Sequence, residues 1–442
     1  MSLEIHEIGE VIRKVRKERG FRLEDLADDN ISPATISNIE RGVPHVNMDK
    51  TKYLLKKLDL DLDNLPNLMV NEQQELEETK FELFKIETLL GINDRDSAYK
   101  KLKELNLEDS HPYAAIAYYL KGKLLISKKN WKRAERALFN AIRLASQSSH
   151  CQDHNVEADA FNQLGIASFR QNNIVQALKY TENGLDAFLE GENTTLQYLL
   201  KRNQALYLEK LGRLGEAMQV VQEVWEHLHQ IEEIDIILSF YWLRADLLRR
   251  SGMLQESIQY AKDGLELARL NQKYHSMFDL WTVLGSVYMQ QKQWNKAESC
   301  FDMALKLTGQ FSDQDKFSTT YARLGILYMH QSKWDEAHQV IQKAISISEK
   351  LNIAPRLTYA LQVMGDYYRK QKKYTNATEY YQKALDLSKK YDYKETEYQT
   401  LFRLSQCYEK TDEAKFHESL REMYKVQQDL QREEGTTFEE LE

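Results

Sequence analysis

The chain has 442 residues, with 60 Lys and Arg against 68 Asp and Glu and a formal net charge of -8. That length excludes a single compact core and leaves two or three domains or a solenoid, in which each repeat packs only on its neighbours. With 5 prolines, 17 glycines and no run of alternating β-branched residues, the composition excludes a β fold and fits a nearly all-helical chain. The three cysteines, Cys151, Cys300 and Cys407, are far apart in helical stretches and read as buried thiols, not a disulfide framework. No apolar signal segment opens the sequence. Its most apolar window, 231–248, is interrupted by Glu232, Glu233, Asp235, Arg244 and Asp246, so it is no membrane span and the chain reads as cytoplasmic. Charge is uneven: residues 1–58 carry 11 Lys and Arg against 10 Asp and Glu, the remainder 49 against 58. Arg13, Lys14, Arg16, Lys17, Arg19 and Arg22 gather against Glu18, the pattern of a polyanion contact by a small N-terminal domain or, more plainly, of a solvated helix face.

In chain order, Ile8, Val11, Ile12 and Val15 predict an amphipathic first helix ending near Gly20. Leu23, Leu26 and Ala27 predict a short second helix, and 28–31 turns the chain. Ser32 is placed as N-cap with Pro33 at the first helical position of a third helix running to Glu40, packed through Ile36 and Ile39. Met48 to Leu58 supplies a fourth. The string IGEVIRKVRKERGFRLEDLA…ISPATISNIERG resembles the Xre/Cro-type helix-turn-helix family. The resemblance implies that the third helix enters the major groove and reads base edges. It assigns Ser32, Pro33, Ala34, Thr35, Ser37 and Asn38 to that face, with Asn38 suited to adenine. Arg41, Arg13, Arg16 and Lys17 would hold phosphates. Leu23 stands where the family usually has Gln, and the turn before the third helix is about one residue short of the usual family length.

Residues 1–60 are therefore the DNA-binding domain, and 61–75, acidic and containing Pro66, read as a linker. From 76 to 430 one pattern recurs. Trp281, Leu284, Gly285, Tyr288, Ala297, Phe301 and Ala304 return forty residues on at Tyr321, Leu324, Gly325, Tyr328, Ala337, Ile341 and Ala344, and again from Leu361 to Ala384. Earlier copies are marked by Ala98, Gly122, Gly165, Ala205 and Ala245, and a weakened ninth begins at Leu401. Small residues mark the closest helix crossing and large ones fill the space between. The pattern resembles the tetratricopeptide repeat, whose period is about 34 residues, so each copy here is longer. The resemblance implies a right-handed α-solenoid whose first helices line a concave groove. The slots around each small residue place Tyr119 and Lys123 there, then Asn162, then Arg202 and Asn203. Trp242, Asp246, Arg249 and Arg250 follow, then Asp279 and Ser286, and last Gln362, Asp366 and Arg369. An Asn amide can pair with both groups of a peptide bond, so this surface suits an extended peptide with charged ends or side chains. Residues 431–442 read as a disordered acidic tail.

His150 and His154 are spaced for zinc but lack a second ligand pair, so no metal or other cofactor is expected. No Gly-rich phosphate loop, nucleophile elbow or paired-carboxylate signature stands out, and the chain does not read as an enzyme.

The whole arrangement, an Xre-type helix-turn-helix followed by a long repeat array, resembles the RRNPP group of peptide quorum-sensing regulators of Gram-positive bacteria, most closely the NprR type. The resemblance implies an all-α, cytoplasmic transcription regulator acting as a homodimer or tetramer on a palindromic operator in double-stranded DNA. A short signalling peptide in the groove would switch it, and the array would have a second role on a phosphorelay response regulator in sporulation. The rival class is a repeat scaffold acting through protein contacts, with the helix-turn-helix not used for DNA.

Overall fold

The computed structural model describes residues 5–41, 43, 48–60, 65–146, 155–191, 194–311 and 316–433. They are helical, with no strand longer than an isolated bridge between Asp28 and Ile31. No helix among them is long and apolar enough to cross a membrane. The chain divides into two compact units, Met1–Tyr113 and Ala114–Glu442.

The first unit opens with α1 (Ile5–Glu18), α2 (Pro33–Glu40) and α3 (Met48–Lys57). Their apolar faces meet in one core of Ile8, Val11, Ile12, Leu26, Ile36, Ile39, Leu54, Leu55 and Leu58. Gly9 permits the close crossing of α1 and α2, because a Cβ there would stand 2.2 Å from the Ile39 carbonyl oxygen. Ser32 caps α2, its hydroxyl accepting from the Thr35 N–H at 3.2 Å, with Pro33 in the first turn as the sequence predicts. The expected second helix is reduced to a single 3-10 turn, Glu24–Leu26. The cause is local: the Asp28 carboxylate accepts from the Asn30 and Ile31 N–H groups at 2.8 and 3.1 Å, and so closes a turn where the helix would have continued.

The segment read as a linker is helical from its fifth residue: α4 (Leu65–Gly91) takes Pro66 into its first turn, where no N–H is required. Residues 61–64 lie outside the described residues. α4 pairs with α5 (Arg95–Leu105), burying Leu83, Ile86 and Ala98, and Lys14 of α1 reaches Glu75 of α4 at 3.5 Å. This hairpin, expected to open the repeat domain, groups with the helix-turn-helix in the first unit.

The second unit is a row of helical hairpins. They are α6 (Ala114–Ser127) with α7 (Trp131–Ala145), α8 (Val156–Arg170) with α9 (Ile174–Asp186), α10 (Thr194–Leu211) with α11 (Leu214–Trp225), and α12 (Ile234–Arg250) with α13 (Leu254–Leu270). Then come α14 (Tyr274–Gln290) with α15 (Trp294–Lys306), α16 (Phe317–His330) with α17 (Trp334–Leu351), α18 (Ala354–Lys370) with α19 (Tyr374–Lys390), and α20 (Lys394–Tyr408) with α21 (Glu413–Glu433). The last hairpin is complete, although its sequence pattern fades after Lys410. Residues 434–442, most of the acidic tail, lie outside the described residues.

The additional residues of each repeat lengthen the helices. α18 and α19 each have 17 residues, joined by a turn at 371–373 whose Lys372 takes a φ of 60°. The small slots are small by necessity: a Cβ on Gly285 would lie 2.6 Å from the Phe301 ring, on Gly325 2.3 Å from Ile341, and on Gly365 2.4 Å from Tyr381. In the fifth copy buried Ser257 substitutes for the usual alanine and donates to the Ala245 carbonyl at 2.7 Å. Cys300 and Cys407 are buried, and burial pushes both thiols up to about 11. Cys151, His150 and His154 lie outside the described residues. First helices touch first helices along the row, α12 on α14 and α16 on α18, whereas second helices make no comparable contact, so the first helices line the inside of the curve.

The coil also touches itself. Asn172, in the turn between α8 and α9, meets the turn before α18 and the start of α20, and Ala354 and Tyr393 join the core formed by α9 to α12.

Candidate functional site

Two surfaces carry the candidate residues. On α2, Ile36 and Ile39 face the core, which leaves Ala34 exposed and Thr35, Ser37 and Asn38 half-buried on the opposite side. The Ser32 and Thr35 hydroxyls share a hydrogen bond of 2.8 Å. Arg41 caps the helix end, its guanidinium donating to the Ser37 carbonyl at 3.2 Å and to the Asn38 Oδ1 at 2.6 Å. One lone pair of the Asn38 amide oxygen is therefore committed to Arg41. Arg13 and Lys17 are exposed, and partial burial with neighbouring Arg13 and Arg16 holds the Lys17 amine below its ordinary pKa. Arg16 departs from the phosphate set. Its guanidinium is 11% exposed and binds Glu40 through two hydrogen bonds of 2.6 and 2.9 Å, with a third donated to the Phe21 carbonyl. The bond to Glu40 raises its pKa. It ties α1 to α2 and is not available to DNA in this form.

In the second unit a chain of polar contacts crosses the first helices. Lys123 stands 5.1 Å from the Tyr119 ring, and the Tyr119 hydroxyl donates to Asp159 at 2.5 Å. Asn162 donates to Asp159 at 3.5 Å and accepts from Asn203 at 2.7 Å, and Arg202 donates to the Asn203 amide oxygen at 2.8 Å. Next along the row Asp246 sits among Arg249 at 2.9 Å, Arg323 at 3.7 Å and Arg250 at 4.0 Å. Burial alone would raise the Asp246 carboxyl, but these three guanidinium groups hold it far below the carboxylate range. Trp242, one turn before Asp246 on α12, packs on the apolar core around Leu238, Ala245 and Leu284, with Lys210 5.9 Å from its ring. Asp279 is paired with Lys316. Asp366 accepts from the Tyr381 hydroxyl at 2.7 Å and from Arg369 at 3.3 Å, in a cleft of about 480 Å³ also lined by Tyr398, Phe402 and Arg403.

Five expected groove residues are buried: Asn162, Asn203 and Asp246, at 4%, 2% and 4% exposed, are satisfied by one another and by the arginines above, and Ser286 and Gln362 are packed between helices. Ser286 is 1% exposed and donates to the Thr282 carbonyl one turn back, and Gln362 is 4% exposed and donates to the Thr400 hydroxyl at 2.7 Å. The neighbouring first helix covers Gln362 through Thr400. Sequence reasoning also missed Glu209, Arg323 and Arg403. Arg323 and Arg403 stand two residues before the small slot, as Asn203 does, and Glu209 stands four after it, as Arg249 does, so the repeat register held the signal. Among the described residues no group of His, Cys, Asp and Glu is placed to hold a metal ion.

Residues 12–65 match a helix-turn-helix family, and 276–350 and 358–391 match tetratricopeptide repeat families. No curated protein matches the chain. Among solved structures, the Rap protein complexed with competence and sporulation factor is 13% identical, covering 80% of this chain and 99% of its own, at a TM-score of 0.59. NprR in complex with its cognate peptide NprX is 18% identical, covering 80% and 98% at 0.56. The apo form of the quorum sensor NprR from B. thuringiensis is 16% identical, covering 80% and 99% at 0.53. The chain thus carries a helix-turn-helix module followed by tetratricopeptide repeats, and shares its fold with Rap and NprR.

Proposed function

We propose that this chain is a cytoplasmic transcription regulator of the RRNPP kind, binding operator DNA through α2 and switched by a short signalling peptide held on the inner face of its repeats. The observation that carries this reading is the polar chain from Tyr119 through Asn162 and Asn203 to Arg202, which crosses successive first helices. Asn162 and Asn203 are 4% and 2% exposed, so a peptide reaches their carboxamides by displacing Arg202 and opening the pair. Carboxamides in such a row pair with the N–H and C=O of an extended backbone, the groups that a peptide without its own secondary structure leaves unsatisfied. The likeness in fold to an NprR solved with its peptide supports it.

The switch is a population shift. A peptide favours one arrangement of the coil only by binding it more tightly than another. Two helix-turn-helix modules in a homo-oligomer reach a palindrome when their centres stand about 34 Å apart, or a multiple of that. Peptide binding acts by setting that spacing through the repeat units.

The test is isothermal titration of the full-length protein with synthetic peptides encoded by short reading frames beside its gene. Saturable binding of one peptide per chain is the expected result, lost in Asn203→Ala. Absence of binding by every such peptide contradicts the reading.

A further inference from the structure

The inner face of the second unit is cationic in a chain whose net charge is -8. Asp246 is shared by Arg249, Arg250 and Arg323. Glu209, on α10, takes Arg250 at 3.1 Å and Lys210 at 2.8 Å. Two carboxylates therefore serve four cations.

Arg323 is the least satisfied of the four. Its side chain is only 15% exposed, its ion pair with Asp246 is 3.7 Å long, and among the described residues it makes no hydrogen bond. Burial pulls its guanidinium below its ordinary pKa. Arg202, on α10, the first helix before the α12 that carries Asp246, shows the same imbalance: it donates to the Asn203 amide, and among the described residues no carboxylate lies within ion-pair distance. Desolvated cations without full partners destabilise a fold, so their retention on one face points to a ligand that completes them.

We infer that the peptide taken by this surface is acidic, and that an Asp or Glu side-chain carboxylate of the peptide completes the coordination of Arg323 beside Asp246. The inference rests on the peptide-receptor reading above and specifies its ligand. A guanidinium donates two parallel hydrogen bonds to a carboxylate, and Arg323 has those donors uncommitted, whereas Arg249 already donates to Asp246. The Asn162–Asn203 pair addresses the peptide backbone and the arginine cluster its charge.

The experiment uses the full-length protein and four fluorescein-labelled heptapeptide pools of equal length built from Gly, Ala, Ser and Leu. Three are C-terminally amidated and carry two Glu, two Gln or two Lys, and the fourth is the Gln pool with a free C-terminal carboxylate. Fluorescence anisotropy should show the Glu pool binding about tenfold tighter than the Gln pool, the scale of one charge-assisted pair in a desolvated site. Arg323→Gln should remove that preference, bringing the Glu and Gln pools to the same affinity. Arg250→Gln, at a side chain 35% exposed and so tolerant of change, should also reduce it and guards against a folding defect in the first variant. Equal or tighter binding of the amidated Gln or Lys pool overturns the acidic ligand while leaving the peptide reading intact. A preference confined to the free-carboxylate pool places the anion at the peptide terminus and overturns the side-chain assignment. No binding by any pool overturns both readings.

Discussion

The side-chain amide of Asn172 donates to the carbonyl of Asn352 at 2.9 Å, across 180 residues, while its amide oxygen accepts from the Ala354 N–H at 3.0 Å. The Asn172 carbonyl in turn accepts from the Tyr393 hydroxyl at 2.7 Å, and Asn172 itself is 3% exposed. One residue thus fastens the turn between α8 and α9 to the beginnings of α18 and α20. Asn172 adopts a φ of 65°, a conformation that asparagine tolerates better than most side chains.

Removing this clasp should loosen the coil. Asn172→Gly keeps the backbone conformation accessible and deletes the amide, leaving the buried Ala354 N–H unpaired and the Asn352 carbonyl to solvent, at a cost of roughly 1–3 kcal/mol. Small-angle scattering should report a larger radius of gyration than the parent. An unchanged radius with unchanged thermal stability would show that the clasp does not hold the coil.

Filling the small slots should be costly because the large partner has nowhere to go. Gly285→Ala sets a methyl 2.6 Å from the Phe301 ring, and overpacking of this kind costs roughly 1–3 kcal/mol. Gly215, which a Cβ would leave free of neighbours, is the control: Gly215→Ala should leave the unfolding midpoint unchanged or raise it. Equal effects of the two would contradict the packing account.

Arg16 and Arg41 should separate stability from DNA binding. Arg16→Ala leaves the buried Glu40 carboxylate without its partner, and should destabilise the first unit by roughly 2–3 kcal/mol. Arg41→Ala, at an exposed helix end, should leave folding intact and weaken binding to all DNA sequences alike, with the salt slope falling by about 1. Hydrogen exchange within α1 and α2 distinguishes the two. A sequence-selective loss in Arg41→Ala would contradict its phosphate role.

Acid should act on the first unit through Asp28. Hydrogen bonds from Lys57, then Tyr53 and the Asn30 N–H, hold its carboxyl well below the usual range. A carboxyl whose folded pKa is depressed contributes stability that is present above its unfolded pKa, about 3.9, and is lost as pH falls toward the folded value. Amide protection in α3 should therefore weaken below about pH 4 in the parent and vary less over the same range in Asp28→Asn. Identical pH profiles for the two would remove Asp28 from the account.

The repeats were legible because their signal is local and periodic: Gly285 with Phe301 and Gly365 with Tyr381 lie within one hairpin, at spacings a sequence displays directly. The N-cap at Ser32 was legible for the same reason. The self-contact of the coil was not, since Asn172 meets Asn352 only through the summed rotation of several repeats, which no single residue encodes. The slot rule placed Ser286 and Gln362 near the inner face but carries no information on whether the next helix covers them. The charge pattern of residues 13–22 likewise shows Arg16 as one of a basic cluster, when Glu40 of the same module claims it across 24 residues.

The most direct test of the central claim is DNA binding by the purified full-length protein, on fragments from its own locus, with and without peptides encoded by short reading frames just downstream of its gene. The account predicts that one such peptide changes the affinity or the stoichiometry of the complex, and that Asn203→Ala abolishes the change while retaining DNA binding. A protein that binds no fragment in either condition, or binds with identical affinity and stoichiometry in both, would contradict it.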